Sequence, residues 1–320
     1  MTADRTAVLA PGQGSQTPGM LTPWVTDDGT AGSDAAAEAR ARLRDWSERA
    51  GLDLLHLGTE ADAAQIQDTA ITQPLIVAAS LLSARELERH GALPSDGPVA
   101  GHSVGELAAA ALAGVLDDGE AVALAAVRGA EMAKACALEP TGMAAVMLGE
   151  PEEVVGWLES NGLSAANRNG AGQIVASGSA EAIERIVAEP LAGTKVRELK
   201  VAGAFHTSYM APARDALAEH AAGIRPADPT RPLLSNTDGA VVDSGAEYLE
   251  RLIRQVTSPV RWDLTMDTLA ELGVAGTVEL VPAGTLTGLV KRQLKGTVTS
   301  TVAVNTPADI ATVPAKAHEV

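Results

Sequence analysis

The chain has 320 residues, of which 46% are hydrophobic, 20% charged and 2% aromatic, and its formal net charge at pH 7 is −17. A chain of this length and hydrophobic content can bury a sizeable core, which excludes disorder throughout. The negative charge argues against binding nucleic acid or anionic lipid through a basic surface, because neutralising phosphate requires Lys and Arg. The single cysteine, Cys136, excludes an intrachain disulfide and a zinc site built from several thiolates.

Apolar residues are not gathered into a membrane segment. No stretch approaches the roughly 20 apolar residues that a membrane span requires. The apolar run at residues 7–10 is too short for the core of a signal peptide. We therefore expect a cytoplasmic protein with no membrane partner and no nucleic-acid partner.

Short apolar runs alternate with longer Ala-rich stretches, and this alternation favours a parallel sheet covered by helices. In the first part of the chain, strands are predicted over residues 6–10 and 98–101. Helices are predicted over residues 35–51, 75–87 and 104–115, and in a segment that begins near Asp118. Acidic residues at that last start suit the positive end of a helix dipole.

Residues 140–202 show a different rhythm. The pattern predicts strands over residues 143–148, 163–166, 173–177 and 194–201, and helices over residues 151–160 and 179–188. The order β-α-β-β-α-β is that of a ferredoxin-like unit. We therefore predict a small ferredoxin-like domain at residues 140–202, inserted into a large α/β catalytic domain formed by residues 1–139 and 203–304. Residues 305–320, with Pro307 and Pro314, are expected to form a loosely held tail.

Residues 101–105, Gly-His-Ser-Val-Gly, match the pattern G-x-S-x-G. They follow a short apolar strand and open an Ala-rich helix, a position at which a serine is held outward on a strained turn. The adjoining helix N-terminus also offers free backbone N–H groups that can stabilise an oxyanion. These features favour Ser103 as a nucleophile in an α/β-hydrolase-like large domain over a serine that merely caps the helix.

A serine hydroxyl needs a base to take its proton. Of the six histidines, His206 is the most suggestive, because it lies in the segment Gly-Ala-Phe-His-Thr directly after the last predicted strand of the small domain. Phe205 in that segment is the only Phe of the chain, and a loop at a domain junction fits a pocket wall. From the spacing alone, a histidine on a surface loop stays an open alternative.

Several segments together resemble the malonyl-CoA:acyl-carrier-protein transacylases and the related acyltransferase domains of polyketide synthases. They are the N-terminal loop PGQGSQ at residues 11–16, the motif TQP at 72–74, the nucleophile motif GHSVGE at 101–106, the arginine helix VRG at 127–129 with Met132 following, and the histidine loop GAFHT at 203–207. Residues 258–262 and 279–289 match the family's C-terminal segments. The resemblance runs from about residue 6 to about residue 295, and its order and spacing make it specific.

This resemblance implies a ping-pong reaction. Ser103 attacks the malonyl thioester with His206 as general base, a malonyl-serine ester forms, and the phosphopantetheine thiol of a carrier protein then takes the malonyl group. The oxyanion hole carried over by motif consists of the backbone N–H groups of Gln13 and Val104. Gln255 matches the position whose carbonyl orients the histidine, a dyad variant of serine–histidine catalysis.

Substrate choice is assigned by the same resemblance to Arg128, which is expected to bind the malonyl carboxylate as a bidentate ion pair and to disfavour acetyl-CoA. From helical spacing alone, a pair with Glu131 or an exposed position would serve Arg128 equally well. Gln73, Gln13 and Met132 are expected in the same pocket. A bulky Phe205 leaves little room for an α-methyl group, which favours malonyl over methylmalonyl.

The implied partner is an acyl carrier protein, with malonyl-CoA as substrate, coenzyme A as product, no bound cofactor, no metal, and a monomeric enzyme. Carrier proteins are acidic, so a local basic rim is needed for docking. The candidates are Lys195, Arg197 and Lys200 in one cluster, and Lys291, Arg292 and Lys295 in another.

Alternative functions stay open. A serine thioesterase or hydrolase on a related scaffold shares nucleophile and base but resolves the ester with water, and a non-catalytic carrier-binding protein forms no ester. The pathway served, fatty-acid or polyketide synthesis, is also open.

Overall fold

A computed structural model describes residues 5–26, 33–95 and 97–314, which form both helices and strands. The strands are β1 (Arg5–Ala10), β2 (Val99–Gly101), β3 (Thr141–Met147), β4 (Ser164–Gly170), β5 (Gln173–Ser179), β6 (Lys195–Glu198), β7 (Val260–Arg261), β8 (Val274–Glu279) and β9 (Ser300–Ala303). The α-helices are α1 (Thr22–Val25), α2 (Ser33–Ala50), α3 (Leu54–Thr59), α4 (Thr69–Arg89), α5 (Gly105–Leu112), α6 (Asp118–Cys136), α7 (Pro151–Ser160), α8 (Ala180–Ala188), α9 (Ala211–Ala221), α10 (Gly245–Gln255), α11 (Trp262–Glu271) and α12 (Thr285–Gln293). Short 3-10 helices span Gln65–Gln67, Ser208–Met210 and Pro307–Thr312. Among the helices described, none is long and apolar enough to cross a membrane.

The first sheet is parallel and has the strand order β2-β1-β8-β9, which confirms the predicted parallel sheet. Residues 7–10 of β1 are fully buried, as expected of an inner strand that is covered on both faces. Ala10 lies opposite Gly101 of β2. Because parallel strands end at the same edge of a sheet, the loop that carries Gln13 and the turn that carries Ser103 start side by side.

The second sheet has the strand order β6-β3-β5-β4-β7. Its strands β3 to β6 pair antiparallel, and α7 and α8 bury their apolar faces against them. The sequence of elements from β3 to β6 is the predicted β-α-β-β-α-β. β7 adds a strand from outside residues 140–202, since it pairs parallel to β4. The predicted domain boundaries stay predictions.

Helix α4 is longer than the predicted segment 75–87. It begins at Thr69, where the Asp68 side chain accepts a hydrogen bond from the Ala70 N–H and caps the first turn. Pro74 therefore lies inside the helix, although proline usually marks a helix start. The extra turns place Gln73 on a buried helix face.

The predicted loose tail is wrong for residues 305–314. The Trp24 indole N–H donates to the Asn305 carbonyl oxygen at 3.1 Å, which ties the segment to the N-terminal part of the chain. Ile310 and Val313 are buried in the hydrophobic core that also contains residues of the first sheet, so the segment contributes apolar contacts as well. Residues 315–320 of the predicted tail lie outside the described residues.

Candidate active site

Ser103 occupies a strained turn between β2 and α5, with a backbone φ of 53°. The two glycines of the motif permit this turn. A Cβ on Gly101 would lie 2.1 Å from the backbone of Gly105, and a Cβ on Gly105 would lie 2.3 Å from the Ala10 carbonyl oxygen. The strained turn therefore requires glycine at both positions and leaves the serine hydroxyl in the cleft.

Asn236 holds this turn in place. The Ser103 backbone N–H donates to Asn236 Oδ1, and Asn236 Nδ2 donates to the Gly101 carbonyl oxygen, both at 2.8 Å. One side-chain amide thus fixes both sides of the turn. Sequence reasoning missed Asn236 because residues 235–239 have the composition of an ordinary polar turn, and no local signal separates the two cases.

His206 lies beside Ser103, as the family resemblance implies, with its Nε2 2.8 Å from the serine Oγ. Its Nδ1 lies 2.8 Å from the backbone carbonyl oxygen of Gln255. Because a carbonyl only accepts hydrogen bonds, the Nδ1 atom carries the proton of the neutral ring, and Nε2 is left to accept the serine hydroxyl. The predicted orienting position is thus occupied by Gln255, through its main chain.

Burial, and after it the positive charge of Arg128, lower the pKa of His206 to about 3, against a smaller opposing effect of the hydrogen bond to Gln255. The ring is therefore neutral at pH 7 and can take a proton from Ser103. The backbone φ of His206 is 60°, in the left-handed region, so the backbone of the histidine loop is strained at this residue.

The two residues predicted to form the oxyanion hole lie at the cleft. Gln13 lies in the loop after β1, and Val104 directly follows the nucleophile, and both line the cleft. Within residues 5–26, 33–95 and 97–314, neither backbone N–H donates a hydrogen bond. The Gln13 side chain is held away by donating to Thr69 Oγ1 at 3.3 Å. Two free donors beside a nucleophile are the requirement for stabilising an oxyanion.

Arg128 is buried, with 3% of its surface exposed, and its guanidinium points into the site. It donates to Gln73 Oε1 at 2.6 Å, to Gln255 Oε1 at 2.9 Å and to Ser103 Oγ at 3.3 Å. Glu131, the neighbour that helical spacing offered, is instead paired with Lys134. Burial lowers the pKa of Arg128 to about 10, so the side chain stays charged at pH 7.

Gly129 explains how Arg128 reaches Gln73. A Cβ on Gly129 would lie 2.6 Å from the Thr69 carbonyl oxygen and 3.2 Å from the Gln73 Cβ. Only glycine lets α6 approach α4 this closely. The close approach brings the arginine of one helix within hydrogen-bond distance of the glutamine of the other.

The remaining predicted residues lie along the same cleft, which has a volume of about 790 Å³. Met132 lies on α6 and accepts a hydrogen bond from Gln73 Nε2 at its sulfur, 3.4 Å away. Phe205 precedes the histidine and is 6% exposed. The cleft is lined by strands of the second sheet and by the loops that follow β1 and β2 of the first sheet, and its volume suits an organic ligand of moderate size.

His102 points away from the Ser103 hydroxyl, as expected for a neighbour on a tight turn. Its Nε2 bonds Asn169 Oδ1 at 2.9 Å, and its ring packs edge-on against Trp262. Asn167 and Asn169 belong to β4 and are 7% exposed. Asn169 therefore links the nucleophile turn to the second sheet.

One of the two predicted basic clusters lies at the mouth of the cleft. Arg197 and Lys200 line the cleft together with Glu198, and Lys195 is exposed on the same edge strand. The second cluster, Lys291, Arg292 and Lys295, is exposed at the end of α12 and does not line the cleft as the described residues form it.

The site therefore contains a serine on a strained strand-to-helix turn that is hydrogen-bonded to a neutral, buried histidine. This is the arrangement of an enzyme that transfers acyl groups through a serine ester. The family model described as "Acyl transferase domain" matches residues 8–314, so the chain belongs to the acyl transferase family.

Relatives agree with this family over nearly the whole chain. The "Malonyl CoA-acyl carrier protein transacylase" of Mycobacterium tuberculosis is 55% identical over 305 residues, which cover 95% of this chain and 97% of that protein. A crystal structure of MCAT from Mycobacterium tuberculosis superposes with a TM-score of 0.89 at 53% identity, covering 97% of this chain and 99% of that chain. A second solved structure, a type II PKS acyl-carrier protein in complex with its malonyl-transacylase, matches with a TM-score of 0.87 at 31% identity, covering 97% of this chain and 98% of that chain.

Proposed function

We propose that this chain transfers a malonyl group from malonyl-CoA to the phosphopantetheine thiol of an acyl carrier protein, through a malonyl ester of Ser103. The observation that carries the proposal is the meeting of three side chains at one point, where Ser103 Oγ lies 2.8 Å from His206 and 3.3 Å from Arg128. The names of the relatives support the same reaction.

In the first half of the reaction, His206 Nε2 takes the hydroxyl proton while Ser103 Oγ attacks the thioester carbonyl carbon. The resulting oxyanion accepts hydrogen bonds from the backbone N–H groups of Gln13 and Val104. The C–S bond then breaks, the proton passes from His206 to the departing sulfur, and coenzyme A leaves. In the second half, the carrier thiol gives its proton to His206 and attacks the ester, and the proton returns to Ser103.

Arg128 selects the acyl group. Its guanidinium forms a bidentate pair with the malonyl carboxylate, and acetyl-CoA leaves this buried charge without that partner. The ion pair between Arg128 and the malonyl carboxylate also affects His206. The positive charge of Arg128 contributes to the low pKa of His206, so a bound malonyl carboxylate that neutralises this charge makes His206 a stronger base. Phe205 at the cleft wall opposes an α-methyl group, and we expect Phe205→Ser to admit methylmalonyl-CoA.

Carrier docking is assigned to the cluster Lys195, Arg197 and Lys200, because it borders the cleft. We expect the charge reversal Arg197→Glu with Lys200→Glu to slow transfer to the carrier at low salt by about tenfold. The matched control is Lys291→Glu with Arg292→Glu, at the end of α12. Equal rates for both pairs contradict this docking site.

An intact-mass experiment tests the reaction. Wild-type protein exposed to malonyl-CoA gains one malonyl group, Ser103→Ala gains none, and Ser160→Ala, which changes a remote serine on α7, gains the group like wild type. Added carrier protein with its phosphopantetheine arm removes the adduct and becomes malonylated. An adduct in Ser103→Ala contradicts the proposed nucleophile.

The same experiment separates the alternatives. Repeated release of free malonate without a carrier identifies a hydrolase, and the lack of any adduct identifies a non-catalytic binding protein. A monomeric state, the absence of a bound cofactor, a cytoplasmic location and a role in fatty-acid or polyketide synthesis belong to the proposal and stay predictions.

A further inference from the structure

Glu106 is a buried carboxyl group that the reaction above does not use. It lies in the first turn of α5, three residues after the nucleophile, and is 1% exposed. Its Oε1 accepts a hydrogen bond from the Asn236 backbone N–H at 2.6 Å, and its Oε2 accepts one from Gln255 Nε2. Both oxygens accept, which is the hydrogen-bonding pattern of a carboxylate.

Gln255 connects this carboxyl group to Arg128. Its Oε1 accepts from the Arg128 guanidinium at 2.9 Å, while its Nε2 donates to Glu106 and, at 3.1 Å, to the Ser103 carbonyl oxygen. The orientation of the amide is fixed at both ends, because a guanidinium only donates and a backbone carbonyl only accepts. A single side chain therefore links the positive group to the negative one.

We propose that in alkaline solution Glu106 is the ionised counter-charge of Arg128 while the cleft is empty, and that it takes up one proton from solvent when a malonyl carboxylate pairs with Arg128. This inference rests on the proposed role of Arg128 in binding malonyl. It makes Glu106 a positioning residue that adjusts the charge of the site to the substrate.

The physical reason is the number of charges. Arg128 is one positive group, and a bound malonyl carboxylate together with an ionised Glu106 would place two negative groups around it in a buried site. Two like charges in a buried site disfavour the ionised form of one of them. Malonyl contacts Arg128 directly, whereas Glu106 reaches it only through Gln255, so Glu106 is the group that takes the proton.

The surroundings of Glu106 place this titration in an accessible pH range. The charged or titratable groups that face it are Arg128 on α6 and Tyr248 on α10, whose hydroxyl donates to the Glu106 carbonyl oxygen at 3.5 Å. Burial raises the pKa of Glu106 to about 8, although Arg128 and the N–H donors oppose the rise. Burial also raises the pKa of Tyr248 well above its ordinary value, so the phenol does not titrate in this range.

Calorimetry in two buffers of different ionisation enthalpy measures the proton directly. The protein is Ser103→Ala, which binds malonyl-CoA without reacting, and acetyl-CoA is the control ligand without a carboxylate. We expect an uptake of about one proton per malonyl-CoA at pH 9, close to none at pH 6, and none with acetyl-CoA at either pH. The dissociation constant for malonyl-CoA should rise about tenfold per pH unit above pH 8.

The variant Glu106→Gln in the same background assigns the proton. It keeps an acceptor for Asn236, and its expected behaviour is a malonyl-CoA affinity that does not change between pH 7 and 9, with no proton uptake. Uptake that persists in this variant overturns the assignment to Glu106.

The measurement on Ser103→Ala decides the question even if Glu106→Gln fails to fold. Malonyl-CoA that binds at pH 9 with no more proton uptake than acetyl-CoA contradicts the inference alone. Wild-type protein that forms no malonyl adduct contradicts the proposed function instead.

Discussion

Replacing Arg128 by Ala removes a buried positive charge beside the nucleophile that can bind a dicarboxylic acyl group. The guanidinium lies 3.3 Å from the nucleophile oxygen, so a malonyl group attached to Ser103 is within its reach. Two unit charges about 4 Å apart interact by about 4 kcal/mol at an effective dielectric constant of about 20. Since Arg128 is 3% exposed, solvent screens this interaction little.

That energy corresponds to about a thousandfold in rate. We expect kcat/KM for acylation by malonyl-CoA to fall about a thousandfold in Arg128→Ala, and acylation by acetyl-CoA to change far less. The loss of the positive charge also raises the pKa of His206, which favours the acetyl reaction. The ratio of the two rates is measured by intact mass as acyl-enzyme accumulates.

The matched control is Arg85→Ala. Arg85 lies on α4 and donates from Nε to Asp118 of α6 at 2.8 Å, so it joins the same two helices without reaching the cleft. We expect this variant to lose some stability and to keep the malonyl-to-acetyl ratio of wild type. A ratio that survives in Arg128→Ala would refute the assignment of selectivity to this arginine.

Three further changes test the framework of the site. Gly129→Ala places a Cβ 2.6 Å from the Thr69 carbonyl oxygen, so it should lower both Tm and the acylation rate, whereas Gly156→Ala, whose Cβ meets nothing within 4 Å, should leave both unchanged or raise Tm slightly. The pKa of His206 is about 3 in the folded protein and about 6.5 in the unfolded chain, so the unfolded chain takes up the proton first as the pH falls. The free energy of unfolding should therefore fall by up to about 4 kcal/mol between pH 6.5 and 3. Denaturant titrations of His206→Gln should not show this loss. Glu279 accepts three backbone N–H groups at the start of α12, at 2.9, 2.9 and 2.7 Å, and Glu279→Gln should cost about 2 kcal/mol in urea unfolding; an unchanged midpoint contradicts this role.

The nucleophile turn could be predicted from the sequence because its determinants are local. A short apolar strand, two glycines around a serine and an Ala-rich helix lie within residues 98–112, and each feature depends on neighbours a few positions away. The order of elements in the second sheet was predictable for the same reason. The resemblance to a known family then placed Arg128 and His206 in the same site as Ser103. The periodicity of apolar residues could not do this, because it describes only neighbours within one helix or strand.

The partners of Arg128 were decided by tertiary packing. Helical spacing offered Glu131, but the structure pairs Arg128 with Gln73 and Gln255, which are 55 and 127 positions away. No local pattern encodes that choice, because it follows from the close contact of α6 with α4 at Gly129.

Asn236 and Glu106 show the same limit. In the sequence Asn236 belongs to an ordinary polar turn, and Glu106 ends the nucleophile motif with no sign of which groups it contacts. Folding brings the Asn236 amide to the nucleophile turn and buries the Glu106 carboxyl group beside Gln255. Local interactions determine where a helix, a strand or a strained turn forms, whereas the charge and hydrogen bonds of this cleft depend on side-chain ends that meet only when the helices pack.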